Sequence, residues 1–202
     1  MTIVISGLTG SGKTTLSSAL CRILKCSPTR TSDLMLQLLG DNRSKDERMI
    51  GWKTQKSTEV TPSAFAAGMQ ADQLHRTLVQ KAPGGVHESI ALPVLLKPEQ
   101  GVCRILLDTD SAVRFERVAR REGVDSATAQ VITSRKDDRT QNYMRQAYGL
   151  EVSSAAYLRH FDVILRTGND TEQTVVLGEL LKETEQLIEQ ALLIVKESIT
   201  ST

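Results

Sequence analysis

The octapeptide Gly7-Leu8-Thr9-Gly10-Ser11-Gly12-Lys13-Thr14 limits what this chain can fold into more than any other feature. It fits G-x-x-x-x-G-K-[ST] at every position. Before it lies Thr2-Ile3-Val4-Ile5-Ser6, a short β-branched run that reads as a buried strand. After it, Leu16, Leu20, Ile23 and Leu24 recur at helical spacing over residues 13–25. A strand, a glycine turn and a helix in that order bring inward-facing backbone N–H groups and the positive end of a helix dipole to one point. The expected nucleotide phosphate-binding residues are therefore Gly7, Thr9, Gly10, Ser11, Gly12, Lys13, Thr14 and Thr15. Lys13 supplies a point charge to the β- and γ-phosphates, and the Thr14 hydroxyl can ligate Mg²⁺.

The 202 residues suffice for one domain with its own core, read here as residues 1–202. Residues 28–32 form a short second strand or extended link, followed by a helix from Asp33 to about Leu39. Thr61-Pro62 starts a helix that runs to about Lys81. Val86 to Leu96 is a strand and its exit, and residues 103–108 are another strand. Asp110 caps a helix through Glu122 that Gly123 ends, and Ser126 caps a further helix towards Tyr148-Gly149. Residues 162–166 are the last strand, and Asp170 with Gln173 begins the terminal helix in the manner of a capping box. Strands alternating with helices mean an α/β fold with a parallel sheet and helices on both faces.

Composition removes several classes of function. Twenty-five Lys and Arg against 24 Asp and Glu give a net charge of +1, and aromatic residues make up 3%. Neither a basic footprint nor a stacking platform for nucleic acid is expected. No apolar run is long enough to cross a membrane, and no basic segment precedes the first apolar residues, so a cytoplasmic protein is expected. Cys21, Cys26 and Cys103 lack the spacing of a disulfide framework or a zinc site and read as small buried hydrophobes.

A phosphate-binding loop alone fits switch GTPases, motor ATPases and small-molecule kinases. No Asn/Thr-Lys-x-Asp segment, the usual guanine reader, occurs. Residues 114–145, in contrast, hold eight Lys and Arg against five Asp and Glu. Arg117 and Arg121 share a helix face, and Arg135 and Arg139 follow in a second cluster. Arginines on a helical lid suit a kinase, because a transferring phosphoryl group needs positive charge in dry surroundings.

Three segments together resemble the cytidylate kinase-like kinases: the glycine loop, Arg114-Phe115-Glu116-Arg117-Val118-Ala119-Arg120-Arg121-Glu122-Gly123, and Arg135-Lys136-Asp137-Asp138-Arg139 through Tyr148-Gly149-Leu150. The stretch from Tyr157 to Thr167 is similar to that family's last strand and its approach. The resemblance covers most of residues 1–40 and 84–185 and is weak over 41–83, the expected acceptor-binding insert. It implies a P-loop NTPase-type sandwich with a five-stranded parallel sheet in the order 2-3-1-4-5. It also implies ATP with Mg²⁺, a lid at about 114–145 carrying Arg117, Arg121, Arg135 and Arg139, and Thr167-Gly168-Asn169 near the adenine.

Departures from the family concentrate on the acceptor side. Positions where the family places phosphate-holding arginines read Leu36 and Ile90, and Asn142 stands before Tyr143 where an arginine is frequent. Leu and Ile cannot replace guanidiniums on a phosphate dianion. Arg43, Lys45, Arg48, Lys53 and Lys56 in the insert are the alternative source of charge, and Trp52 either stacks on an acceptor or packs the insert. Glu88, ending the third strand beside the loop, is a second Mg²⁺ candidate. Asp33, opening the helix after the second strand, is either a plain N-cap or the base for an attacking hydroxyl. His75, His87 and His160 are read as no one's ligands. The expectation is an ATP-dependent kinase whose small-molecule acceptor has diverged to a hydroxylated metabolite, as a monomer or homodimer. The alternatives are a true CMP or nucleoside monophosphate kinase, and a nucleotide-binding regulator with slow ATP hydrolysis.

Overall fold

The computed structural model describes residues 1–40, 60–97, 101–167, 172–176 and 182–200. Six strands form one sheet in the order β2-β3-β1-β4-β5-β6: β1 (Thr2–Gly7), β2 (Thr29–Arg30), β3 (Gly85–Glu88), β4 (Val102–Thr109), β5 (Val163–Thr167) and β6 (Glu172–Val176). The first five are parallel in the expected order, and β6 adds an antiparallel edge to β5. The helices in chain order among the described residues are α1 (Lys13–Leu24), α2 (Thr31–Leu38), α3 (Pro62–Lys81), α4 (Leu92–Leu95), α5 (Ser111–Glu122), α6 (Ser126–Tyr148), α7 (Ala155–Leu158) and α8 (Lys182–Thr200).

Alternation along the strands sorts two cores. On one face Ile3, Ile5, Ile105, Leu107, Val163 and Leu165 pack against α1 and α8 through Leu16, Leu20, Leu187 and Ile188. Cys21 and Cys103 are buried in that cluster, with Cys26 against it, as small hydrophobes would be. On the other face Leu106 and Ile164 meet Met144 of α6, Tyr157 of α7 and Phe161, while Val4 meets Val79 of α3 and Leu92 of α4.

Helix ends follow local chemistry. Thr61 accepts from the Ala64 N–H with Pro62 in the first turn, and α3 ends at Lys81 as its sequence predicts. Gly123 and Gly149 stop α5 and α6 in the left-handed conformation. Three boundaries differ from expectation. Asp125, not Ser126, caps α6, its carboxylate accepting from the Thr128 N–H at 2.8 Å. The α2 helix begins at Thr31, so Asp33 lies in its first turn rather than at its cap. The terminal helix begins at Lys182, because Glu172–Val176, with its Thr-Val-Val run, pairs with the open edge of β5. Leu177, Leu180 and Leu181, read as part of the terminal stripe, lie outside the described residues, as do Gly168 and Asn169 and the insert's Arg43, Lys45, Arg48, Trp52, Lys53 and Lys56.

Two buried polar networks fasten α3 to α6, β3 and α2. Asp72 of α3 accepts from the hydroxyls of Tyr143 and Tyr148 of α6, the latter at 2.8 Å. Gly68 lets the Tyr143 ring close in: a Cβ there would lie 2.8 Å from its Cε2. The second network is a chain of imidazoles. His87 Nε2 lies 2.9 Å from the Gly84 carbonyl and so carries the proton. His87 Nδ1 therefore accepts from His75 Nε2 at 3.0 Å, and His75 Nδ1 accepts from the Thr31 hydroxyl at 2.8 Å.

Both rings are neutral in this arrangement. Burial, then the adjacent His87, lowers His75 to about 4, and burial lowers His87 as well. The unfolded chain binds a proton at His75 near pH 6.5 that the native state refuses until about pH 4. Stability from this residue is thus present above pH 6.5 and is lost as pH falls towards 4, by about 3 kcal/mol in all. Urea unfolding between pH 7.5 and 5 should show this loss, and His75→Gln should flatten the slope. An equally steep profile in the variant would reject the assignment.

Candidate nucleotide and acceptor site

The loop between β1 and α1 folds as an anion nest. Gly7, Gly10 and Gly12 all take positive φ, at 147°, 80° and 97°. A Cβ on Gly7 would meet the Leu107 carbonyl at 2.7 Å, and one on Gly10 the Arg114 carbonyl at 2.7 Å, so neither position admits another residue without movement. Lys13 Nζ donates to the Gly7 and Leu8 carbonyls at 2.5 and 2.9 Å. Burial lowers its pKa to about 8, against the attraction of Glu88 and Asp137, with Arg114 and Arg121 pushing it further down. Ser11 Oγ is buried without a hydrogen-bond partner among the described residues. Thr14 and Thr15 are exposed in the first turn of α1.

The loop is gripped from the opposite side by a buried ion pair. Arg114 Nη1 of α5 donates to Asp137 Oδ2 of α6 at 2.5 Å and to the Thr9 carbonyl at 2.9 Å. Asp137 Oδ1 in turn accepts from the Thr9 N–H at 3.1 Å. Both polar atoms of one loop peptide residue are thereby held by two side chains. Arg117 Nη1 donates to the Ser11 carbonyl at 3.3 Å and lies 3.6 Å from where a Gly12 Cβ would stand.

At the mouth of the sheet the buried Glu88 holds three residues. Its Oε2 accepts from Thr14 Oγ1 at 3.2 Å, and its Oε1 accepts from Ser17 Oγ at 2.5 Å and from Arg30 Nε at 2.9 Å. Arg30 also faces Asp33, with Nη1 3.6 Å from Oδ2. The two predicted metal candidates, Thr14 and Glu88, are thus brought into contact at the start of α1. A hydroxyl and a carboxylate with no nitrogen or sulfur donor between them suit a hard cation such as Mg²⁺.

The remaining predicted arginines are spread along the α5–α6 hairpin. Arg121 is half-exposed and donates to Glu122 at 2.7 Å, while its charge still reaches Lys13. Arg135 and Arg139 are half-buried neighbours on α6, and burial, then the charge of Arg135, lowers the Arg139 pKa. Three residues went unselected in the sequence. Lys136 is lowered to about 8 by burial and then by the charges of Lys13 and Arg121, which places it beside the loop. Its membership of the Arg-Lys-Asp-Asp-Arg cluster was the available signal. Arg114 looked like one arginine among several on its helix. Arg30 gave no signal, because its partner Glu88 meets it only through the pairing of β2 with β3.

At the positions where the family carries acceptor-phosphate arginines, Leu36 is half-buried on α2. The Ile90 side chain packs into the Leu106–Tyr157 core cluster, and its carbonyl accepts from the Tyr157 hydroxyl at 2.8 Å.

Five parallel strands in the order β2-β3-β1-β4-β5, with a glycine nest leading from β1 into α1, define a nucleotide-binding fold of the P-loop kinase type. Among solved structures, an uncharacterized protein from Eubacterium ventriosum superposes with a TM-score of 0.61 at 15% identity, covering 100% of this chain and 99% of the other. The fold is thereby shared, and nothing more. The model of the cytidylate kinase-like family matches residues 2–169, and the chain belongs to that family. A cytidylate kinase from Pyrobaculum arsenaticum is 26% identical over 166 residues, 82% of this chain and 83% of the relative. Membership makes the chain a small-molecule kinase, a phosphotransferase in class. No helix among the described residues is long and apolar enough to cross a membrane.

Proposed function

We propose that this chain uses ATP with Mg²⁺ to phosphorylate the hydroxyl of a small metabolite rather than the phosphate of a nucleotide. The observation that carries the reading is the fate of position 90: its side chain is committed to the apolar core, so no side-chain charge is presented there to an acceptor phosphate. On the donor side the loop amides, Lys13 and Arg117 are arranged to take the β- and γ-phosphates, and Arg121, Arg135, Arg139 and Lys136 bring further charge along the hairpin. Thr14 and Glu88 would hold Mg²⁺, which when bound offsets negative charge on the phosphates. Asp33, on the acceptor wall with its side chain half-exposed, accepts the proton of the attacking hydroxyl. The acceptor oxygen then forms a bond to the γ-phosphorus, the bond from that phosphorus to the bridging oxygen breaks, and ADP leaves with the electron pair. The hairpin of α5 and α6 serves as the lid over this transfer.

The test is ADP release from ATP with a panel of hydroxylated metabolites, against CMP, UMP and AMP. Turnover with a hydroxylated acceptor and poor use of the three nucleotides is expected. Loss of two charge-assisted contacts, at about 1.5–3 kcal/mol each, weakens a phosphate acceptor by about two to four powers of ten. Efficient phosphorylation of CMP would reject the hydroxyl reading in favour of a true CMP kinase. ATP binding with no acceptor-dependent release would instead make the chain a regulator.

A further inference from the structure

Arg30 is the only Lys or Arg in β2, α2 and β3, which lie on the acceptor side under the function proposed above. Its guanidinium lies between two carboxylates with different tasks under the function proposed above. The Nε donates to Glu88 Oε1 at 2.9 Å, and Nη1 lies 3.6 Å from Asp33 Oδ2. Glu88 is divided by these contacts. Its Oε1 is held by Arg30 and by Ser17 at 2.5 Å, which leaves Oε2 turned to Thr14 at 3.2 Å. Glu88 is 7% exposed, so the arginine opposite it acts through a medium that screens poorly. Burial alone would lower the Arg30 pKa, but the hydrogen bond and charge of Glu88, with Asp33 behind it, leave it raised.

We propose that Arg30 is a positioning residue that joins the metal side of the site to its acceptor side, orienting Glu88 towards Thr14 and Asp33 towards the acceptor with one guanidinium. Two consequences follow from charge and shape. First, a fixed cation beside Glu88 opposes a divalent cation at the Thr14–Glu88 pair, so the metal is held less tightly than the two oxygen ligands alone would hold it. Second, the planar fork spans both carboxylates, and an ammonium on a flexible stem cannot reproduce that geometry. Charge and orientation are therefore separable by substitution. This inference rests on the proposed transfer reaction for the role of Asp33, but its metal arm stands without it.

The experiment measures Mn²⁺ binding in the presence of a non-hydrolysable ATP analogue, for the wild type, Arg30→Gln and Arg30→Lys. Binding should tighten three- to tenfold in Arg30→Gln, to about one order of magnitude at most, and stay near wild type in Arg30→Lys. In a Glu88→Gln background Arg30→Gln should still tighten Mn²⁺ binding, since the guanidinium opposes the cation directly and no longer has the carboxylate to offset it. With a competent acceptor, both Arg30 variants should raise the acceptor KM at least about fivefold while the KM for ATP does not rise. Unaltered Mn²⁺ affinity in Arg30→Gln, or no gain in the Glu88→Gln background, would overturn the proposal. So would equal shifts in the KM for ATP and for acceptor. If the wild type phosphorylates no acceptor, the transfer reading fails, and the Mn²⁺ titrations still decide whether Arg30 governs the metal side.

Discussion

Lys13→Ala should lower phosphoryl transfer by about 10²–10³-fold while the protein melts no lower than the wild type. The first half follows from the position of the ammonium. It sits within the glycine nest, bonded to the Gly7 and Leu8 carbonyls, where the phosphates would draw it across. The second half follows from its cost. Burial lowers its pKa to about 8, so at neutral pH the folded protein carries a cation it would shed more readily than the unfolded chain does. Stability from this residue rises as pH climbs from about 8 to 10.5, where only the unfolded lysine remains protonated. Removing the side chain removes that burden, which is the usual trade between a poised site and a stable fold. Thermal melts and single-turnover transfer at pH 7 check both halves. An active variant would sink the assignment of Lys13, and a collapse in melting temperature would assign it to structure instead.

Arg114→Ala should cost about 3–5 kcal/mol of folding stability, the second large effect expected. Asp137 would be left buried without its cation, and the Thr9 carbonyl would lose its donor. That is a large fraction of the stability of an ordinary domain. Urea unfolding of Arg114→Ala, Asp137→Ala and the double variant separates the causes. The double variant should be much less destabilised than the sum of the two, because the uncompensated charge is gone. Additive losses would show that the two residues act independently of each other.

The β1–loop–α1 unit was legible because its determinants are local. A β-branched strand, three glycines that need positive φ, and an apolar helical stripe lie within the first 25 residues. The ends of α3 and α5 were legible for the same reason, from Thr61-Pro62 and Gly123. What escaped was set by distant neighbours. Residues 170–173 carry an acceptable helix start, yet the unpaired edge of β5 recruits Glu172–Val176 as a strand. Tertiary pairing outweighs a capping signal of about 1 kcal/mol. Arg114 and Arg117 are three apart on one helix, and only the fold shows that the first is locked on Asp137 and the second on the Ser11 carbonyl. Arg30 is a single residue in a two-residue strand, and its contact with Glu88 comes from which strand lies beside it.

The two grips on α6 have a mechanical meaning. Near its C-terminal end Tyr143 and Tyr148 clasp Asp72 of α3, and six residues earlier Asp137 clasps Thr9 of the glycine loop. Six residues are about 9 Å of helix, a distance over which an α-helix bends little. The helix is therefore a lever arm with one handle on α3 and the other on the glycine loop. A tilt of α3 would be carried to Thr9 through one stiff rod.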